Sequence, residues 1–178
     1  MSEGYEEDLE MYEKACEMSH SQLDSDVLLR PISDLDYPKD PVCVGPGTSV
    51  GEALRVMSTR EIGALPVVEG GKIAGIFAER DVLSKGLYDG KQLEAPLSEF
   101  MTRNPVCLTP HDTIAFALNR MVVGGYRHIP LVDPAGQPEG ILAMRDVMSY
   151  VVSFFPTEVL SVPPHSEHNP PERELDGG

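Results

Sequence analysis

Apolar positions along the chain fall into one short-range pattern, and that pattern occurs twice. Val42–Val44 and Val106–Leu108 are short apolar runs, each followed after two positions by a proline, Pro46 or Pro110. Proline cannot donate to a sheet ladder, so each run predicts a short strand that stops there. Apolar residues then recur at helical spacing: Val50, Ala53, Leu54 and Met57 in the first stretch, and Ile114, Ala117, Leu118 and Met121 in the second. Ser49 and Glu52 open the first of these helices with the spacing of a capping box. Two more strands follow in each stretch. Leu65–Val68 and Ile129–Val132 run into turns rich in glycine or proline, Glu69-Gly70-Gly71 and Asp133-Pro134-Ala135-Gly136. Ile73–Ala78 and Gly140–Ala143 then lead straight into a second helix beginning near Arg80 or Arg145. The predicted series is β-α-β-β-α, present twice, and the fold class is α+β.

The two stretches are copies of one another. A shift of 64 lays residues 41–68 on 105–132 with nine of 28 positions identical, among them Pro41/Pro105, Cys43/Cys107 and Met57/Met121. One extra residue in the second turn changes the shift to 65, and GIFAERDV (75–82) then matches GILAMRDV (140–147) at six of eight positions. A copy of about 55 residues buries too little apolar surface to be comfortable alone. The pair is therefore expected to face one another about a pseudo-two-fold axis, held close by the short linker 87–95. The expected domains are 31–91 and 96–155. Before them lies an acidic extension, 1–30, in which Tyr5, Leu9, Tyr12 and Cys16 mark one face of a short helix. After them, 156–178 form a proline-rich acidic tail that is expected to be disordered or loosely docked.

Charge sharpens this division. Of the net −15, residues 1–40 carry −9 (12 acids, 3 bases), 41–155 carry −2 (12 acids, 10 bases) and 156–178 carry −4 (5 acids, 1 base). The acidity belongs to the ends. No basic stripe exists to neutralise phosphates in series, which argues against a nucleic-acid partner. No stretch nears the roughly 20 apolar residues that span a bilayer, and the acidic start MSEGYEEDLE is unlike a signal peptide. Cys16, Cys43 and Cys107 form no disulfide framework and no CxxC pair, so the chain is expected in the cytoplasm. The five histidines are scattered, and neither a GxSxG, Walker, HExxH nor dinucleotide motif is present; catalysis and a metal site are not expected.

Two segments carry a family resemblance: IGALPVVEGGKIAGIFAERDVL (62–83) and YRHIPLVDPAGQPEGILAMRDVM (126–148). Both closely resemble the second half of a cystathionine-β-synthase (CBS) domain, with its apolar-Pro-Val-Val-Asp strand, glycine turn and Gly-apolar-apolar-x-x-x-Asp helix start. ISDL (32–35) and LSEFM (97–101) resemble the segment that precedes each CBS strand. The resemblance covers about 31–152 and implies tandem CBS domains, a Bateman module, commonly a homodimer. It further implies a regulatory ligand rather than an obligatory cofactor: an adenine nucleotide (AMP, ADP or ATP) or related adenosyl small molecule held between the repeats.

By the same resemblance, Asp81 and Asp146 match the aspartate that accepts from ribose hydroxyls. An ionised carboxylate suits two adjacent O–H donors, although an aspartate in a helix's first turn also favours the helix's positive end. The family's serine or threonine three residues earlier is replaced in both copies, by Ala78 and Ala143, which removes the usual phosphate contact. Tyr126, Arg127 and His128 stand where the family lines its cleft, and Arg127 offers a planar fork suited to phosphate. Arg80, Arg145 and Arg103 are further candidates. The equivalent stretch in copy one, Glu61-Ile62-Gly63-Ala64, has no cation, so the two clefts should be unequal. Val42, Val44, Ile62, Val106, Leu108 and Ile129 are candidates for the adenine wall, and as apolar strand residues are equally core. The output is expected to pass to an unknown effector protein. The competing readings are a ligand-free dimerisation and protein-interaction module, and a redox switch built on Cys43 and Cys107.

Overall fold

The computed structural model describes residues 25–154 except 88, 89 and 91. The predicted Tyr5–Cys16 helix face and the proline-rich tail lie outside the described residues. The first repeat holds α2 (Val50–Arg60), β1 (Ala64–Glu69), β2 (Lys72–Ala78) and α3 (Glu79–Ser84), after a short α1 (Ser25–Leu29). A short β3 (Thr102–Arg103) leads to the second repeat, α4 (Ile114–Gly124), β4 (His128–Val132), β5 (Pro138–Ala143) and α5 (Met144–Val152).

Local chemistry explains these elements. Ser49 caps α2 by accepting from the Glu52 N–H at 3.2 Å, and Thr113 caps α4 by accepting from the Phe116 N–H at 3.2 Å. Each hairpin is antiparallel and carries its irregularity at the same place, between Val67 and Val68 and between Leu131 and Val132. The predicted opening strands shrink to single parallel bridges, Val44 to Val67 and Leu108 to Leu131. Prolines at 41, 46, 105 and 110 flank these bridges, and without N–H groups they cannot extend the ladder.

What local pattern does not foretell is which core each leading segment enters. Leu97 and Met101 are buried with Val50, Ala53, Met57, Leu65, Val67 and Phe77 of the first repeat. Ile32, Leu35 and Tyr37, ahead of the first repeat, are buried with Ile114, Met121, Ile129, Leu131, Leu142 and Val147 of the second. The backbone seals both exchanges. Ile32 N–H donates to Asp112 at 2.8 Å and Ile114 N–H to Arg30 at 2.9 Å, while Leu97 N–H donates to Thr48 at 2.9 Å and Val50 N–H to Ala95 at 2.9 Å.

Strand β3 extends the same exchange, pairing antiparallel with β2 (Gly75 opposite Arg103), while Lys39 bridges to Gly140 on β5. Gly75 and Gly140 allow this close approach. A Cβ on Gly75 would lie 2.5 Å from Met101 Sδ, and one on Gly140 2.7 Å from the Tyr37 ring. The hairpins themselves touch reciprocally, β1 with β5 and β2 with β4, as a pseudo-two-fold relation requires.

Candidate functional site

Both aspartates sit in the first turn of a helix that β-strand backbone enters without a loop. Ala78 N–H donates to Asp81 Oδ2 at 2.8 Å, and Ala143 N–H to Asp146 Oδ2 at 2.7 Å. An alanine at the cap has no side-chain acceptor, so only half of a capping box forms. The second oxygens differ. Asp81 is buried, and its Oδ1 lies 2.7 Å from Lys85 Nζ, whose ammonium also donates to the Phe100 carbonyl. Asp146 Oδ1 has Arg145 Nε 3.7 Å away, and Tyr150, which takes the place of Lys85, has a buried hydroxyl without a partner.

Between the repeats runs a cleft of about 900 Å³. Ala78, Arg80, Asp81 and Ser84 line it from the first repeat, and Val106, Tyr126, Arg127 and His128 from the second. Thr102 and Asn104 line it from the segment that crosses over, and sequence patterning does not single them out. Arg80 Nη1 donates across the cleft to the Gly125 carbonyl. His128 closes the seam, since a Cβ on Gly63 would stand 3.1 Å from its ring.

Burial, reinforced by Arg145 and Arg127, outweighs Glu79 and Asp146 and holds the His128 imidazole below the ordinary 6.5. The native state therefore binds fewer protons than the unfolded chain just below that value. Stability is full above about pH 6.5 and falls as the pH drops through it. Melting curves from about pH 5 to 8 should show this slope, flattened in His128→Gln; an unchanged slope in the variant would remove the assignment.

A smaller cavity of about 450 Å³ holds the second aspartate, with Asp34, Asp36, Arg145, Ser149 and Tyr150 around it. Of the candidates from sequence, Asp81, Val106, Tyr126, Arg127 and His128 come together in the large cleft, whereas Asp146 and Arg145 belong to the small one. Val42, Val44, Ile62, Leu108 and Ile129 line neither. Val42 is exposed, Val44 and Ile62 pack on the first core, and Leu108 and Ile129 are within the second. Strand alternation gives the reason for the last: His128 faces the cleft, so its neighbour Ile129 faces the core. Arg103 turns away to the Ser98 carbonyl at 2.7 Å.

Cys43 and Cys107 line neither cavity, and burial pushes both thiols up, away from the reactive thiolate. Among the described residues no His, Cys, Asp and Glu side chains gather as a metal site, and no helix is long and apolar enough to cross a membrane.

The CBS domain family model matches residues 32–88 and 97–153. The CBS domain-containing protein YhcV of Bacillus subtilis is 31% identical over 104 residues, which are 58% of this chain and 74% of that protein. A solved CBS-domain protein of Agrobacterium tumefaciens, ATU1752, is 34% identical with a TM-score of 0.58, covering 62% of this chain and 89% of that one. The CBS domain pair of protein MJ0100, solved in complex with 5'-methylthioadenosine and S-adenosyl-L-methionine, is 25% identical with a TM-score of 0.60, covering 68% and 98%. The chain spans 63% of the length of a 17.7 kDa protein of Acidianus ambivalens and 21% of the inosine-5'-monophosphate dehydrogenase of Methanocaldococcus jannaschii. The family model thus matches both repeats, and the chain belongs to the CBS-domain family and carries two such domains in tandem.

Proposed function

We propose that this CBS pair is a regulatory module that binds a phosphate-bearing adenosyl ligand in the large cleft and conveys its occupancy to a partner protein. The observation that carries the reading is the cleft itself, where a buried carboxylate from one repeat faces a cationic edge of the other. Its volume, about 900 Å³, lies within the range of small-molecule sites. Asp81 suits ribose hydroxyls, and Arg127 and Arg80 suit phosphate. Thr102 and Ser84 bring hydroxyls to the same wall, in place of the hydroxyl that Ala78 lacks. The complex of MJ0100 with 5'-methylthioadenosine and S-adenosyl-L-methionine, neither of which carries phosphate, supports the adenosyl part of this reading, and the phosphate is argued from Arg127 and Arg80. The small cavity is a poor second site for phosphate, because Asp34 and Asp36 join Asp146 around a single arginine. A second copy of the chain suits the exposed apolar residues Phe116, Val122 and Val123 of α4.

One observation favours a different reading, a structural module without ligand. Both oxygens of Asp81 are already engaged, by the Ala78 N–H and by Lys85. Calorimetry and thermal shift with AMP, ADP, ATP and S-adenosylmethionine decide between them. On the binding reading a ligand at about 100 times its dissociation constant adds roughly 2.7 kcal/mol, raising the melting temperature by about 5–10 °C. No heat and no shift with any of the four leaves the structural module.

A further inference from the structure

The guanidinium of Arg80 donates to the Gly125 carbonyl at the edge of the large cleft, and we propose that a ligand's phosphate competes for it, which makes Arg80 the link between that phosphate and the turn that ends α4. The inference rests on the adenosyl-binding reading above. The last carbonyls of a helix have no partner within it and carry its negative pole. Helix α2 closes this end from within: the Glu61 N–H donates to the carbonyls of Met57 and Ser58, and Arg60 adds a cation in the last turn. Its counterpart α4 has no basic residue in its last turn and ends on Gly125 at φ 67°. The turn that ends α4 is instead held from the other repeat, through the Arg80 bond to the carbonyl of Gly125, the residue just beyond the helix. A Cβ on Gly125 would lie 4.0 Å from that same nitrogen.

Arg80 also lines the large cleft, opposite Tyr126, Arg127 and His128. A phosphate entering there presents several anionic oxygens, whereas Gly125 presents one carbonyl dipole. Charge-assisted, forked bonds from arginine to phosphate are the stronger of the two. The guanidinium therefore leaves the carbonyl for the phosphate, and the turn that ends α4 loses its tie to the first repeat. Adenosine fills the same cleft without competing for Arg80. On the twin side Arg145 lies 3.7 Å from its neighbour Asp146 and lines the small cavity. The end of α4 that is released carries the exposed Val122 and Val123, so phosphate occupancy alters an apolar part of the surface.

Hydrogen–deuterium exchange on the full chain, with AMP or adenosine at saturation, tests the link. AMP should raise exchange of the amides around 122–126 by roughly two- to thirtyfold, about what the loss of one hydrogen bond corresponds to, and adenosine should not. Arg80→Ala should show the raised exchange before any ligand is added. In that variant AMP adds nothing further, and its affinity advantage over adenosine shrinks by about tenfold. Protection or no change of this segment by AMP in the wild type overturns the link, as does an unaltered AMP-to-adenosine ratio in Arg80→Ala. Failure of both compounds to bind takes down the binding reading as well, whereas binding of both without the exchange response removes the link alone.

Discussion

Ile32→Ala should cost about 2–5 kcal/mol of folding free energy and lower the melting temperature by roughly 6–15 °C. The size follows from complete burial of the side chain: the change deletes methyl groups from a packed site and leaves a cavity. Its location makes the result informative. Ile32 precedes the first repeat in sequence, yet it packs with Ile114, Ile129, Leu131 and Leu142 of the second. Hydrogen exchange in the variant should therefore rise first in α4 and β4, with β1 and β2 following only on global unfolding. Loss of protection confined to the first repeat would contradict the crossed packing. Ser33→Ala, at an exposed neighbouring position, should change stability by no more than about 0.5 kcal/mol.

Asp81→Ala should weaken binding of AMP by roughly ten- to 150-fold, which corresponds to about 1.5–3 kcal/mol. The same change removes the acceptor of the Ala78 N–H and the ion-pair partner of Lys85, which keeps only the Phe100 carbonyl, so a stability cost accompanies it. Asp146→Ala separates the two effects. It deletes the matching bond from Ala143 but lies in the small cavity beside Asp34 and Asp36. Its stability should fall while AMP affinity stays near wild type. Calorimetry on both variants, at a temperature where each is fully folded, reads the difference. Equal loss of affinity in the two, or none in either, would remove Asp81 from the ligand.

The duplicated architecture was open to inspection before any coordinates, because helical and alternating periodicities report local amphipathicity and the identities between copies report common geometry. Residues such as Val50, Met57, Ile114 and Met121 took the buried positions their spacing demanded. Partner choice is a different kind of information. Ile32 and Leu97 each show an apolar side chain wanting cover, but nothing in their neighbourhood says which repeat supplies it. For that reason nothing in the sequence marks Thr102 and Asn104, which reach the cleft only through the crossover. The cationic face at Arg127 and the inequality of the two sides were legible, since charge at a matched position is a sequence property. The apolar lining of the cleft was not. Leu108 and Ile129 satisfy the composition of a pocket lining and of a core equally well, and only the direction of each side chain decides between them. The Lys85 partner of Asp81 was available as an i, i+4 pair, a spacing that favours contact on any helix.

The reciprocal exchange of leading segments has a bearing on what half of this molecule could be. A peptide comprising one repeat with its own preceding segment holds the apolar plug for a sister's interior and lacks the plug for its own. Two such peptides would complete one another by trading arms, in the manner of a swapped dimer. Fusing them in one polypeptide converts that bimolecular trade into an internal closure at high effective concentration. A single repeat with its own leading segment is thus expected to be stable only as a self-complementary pair.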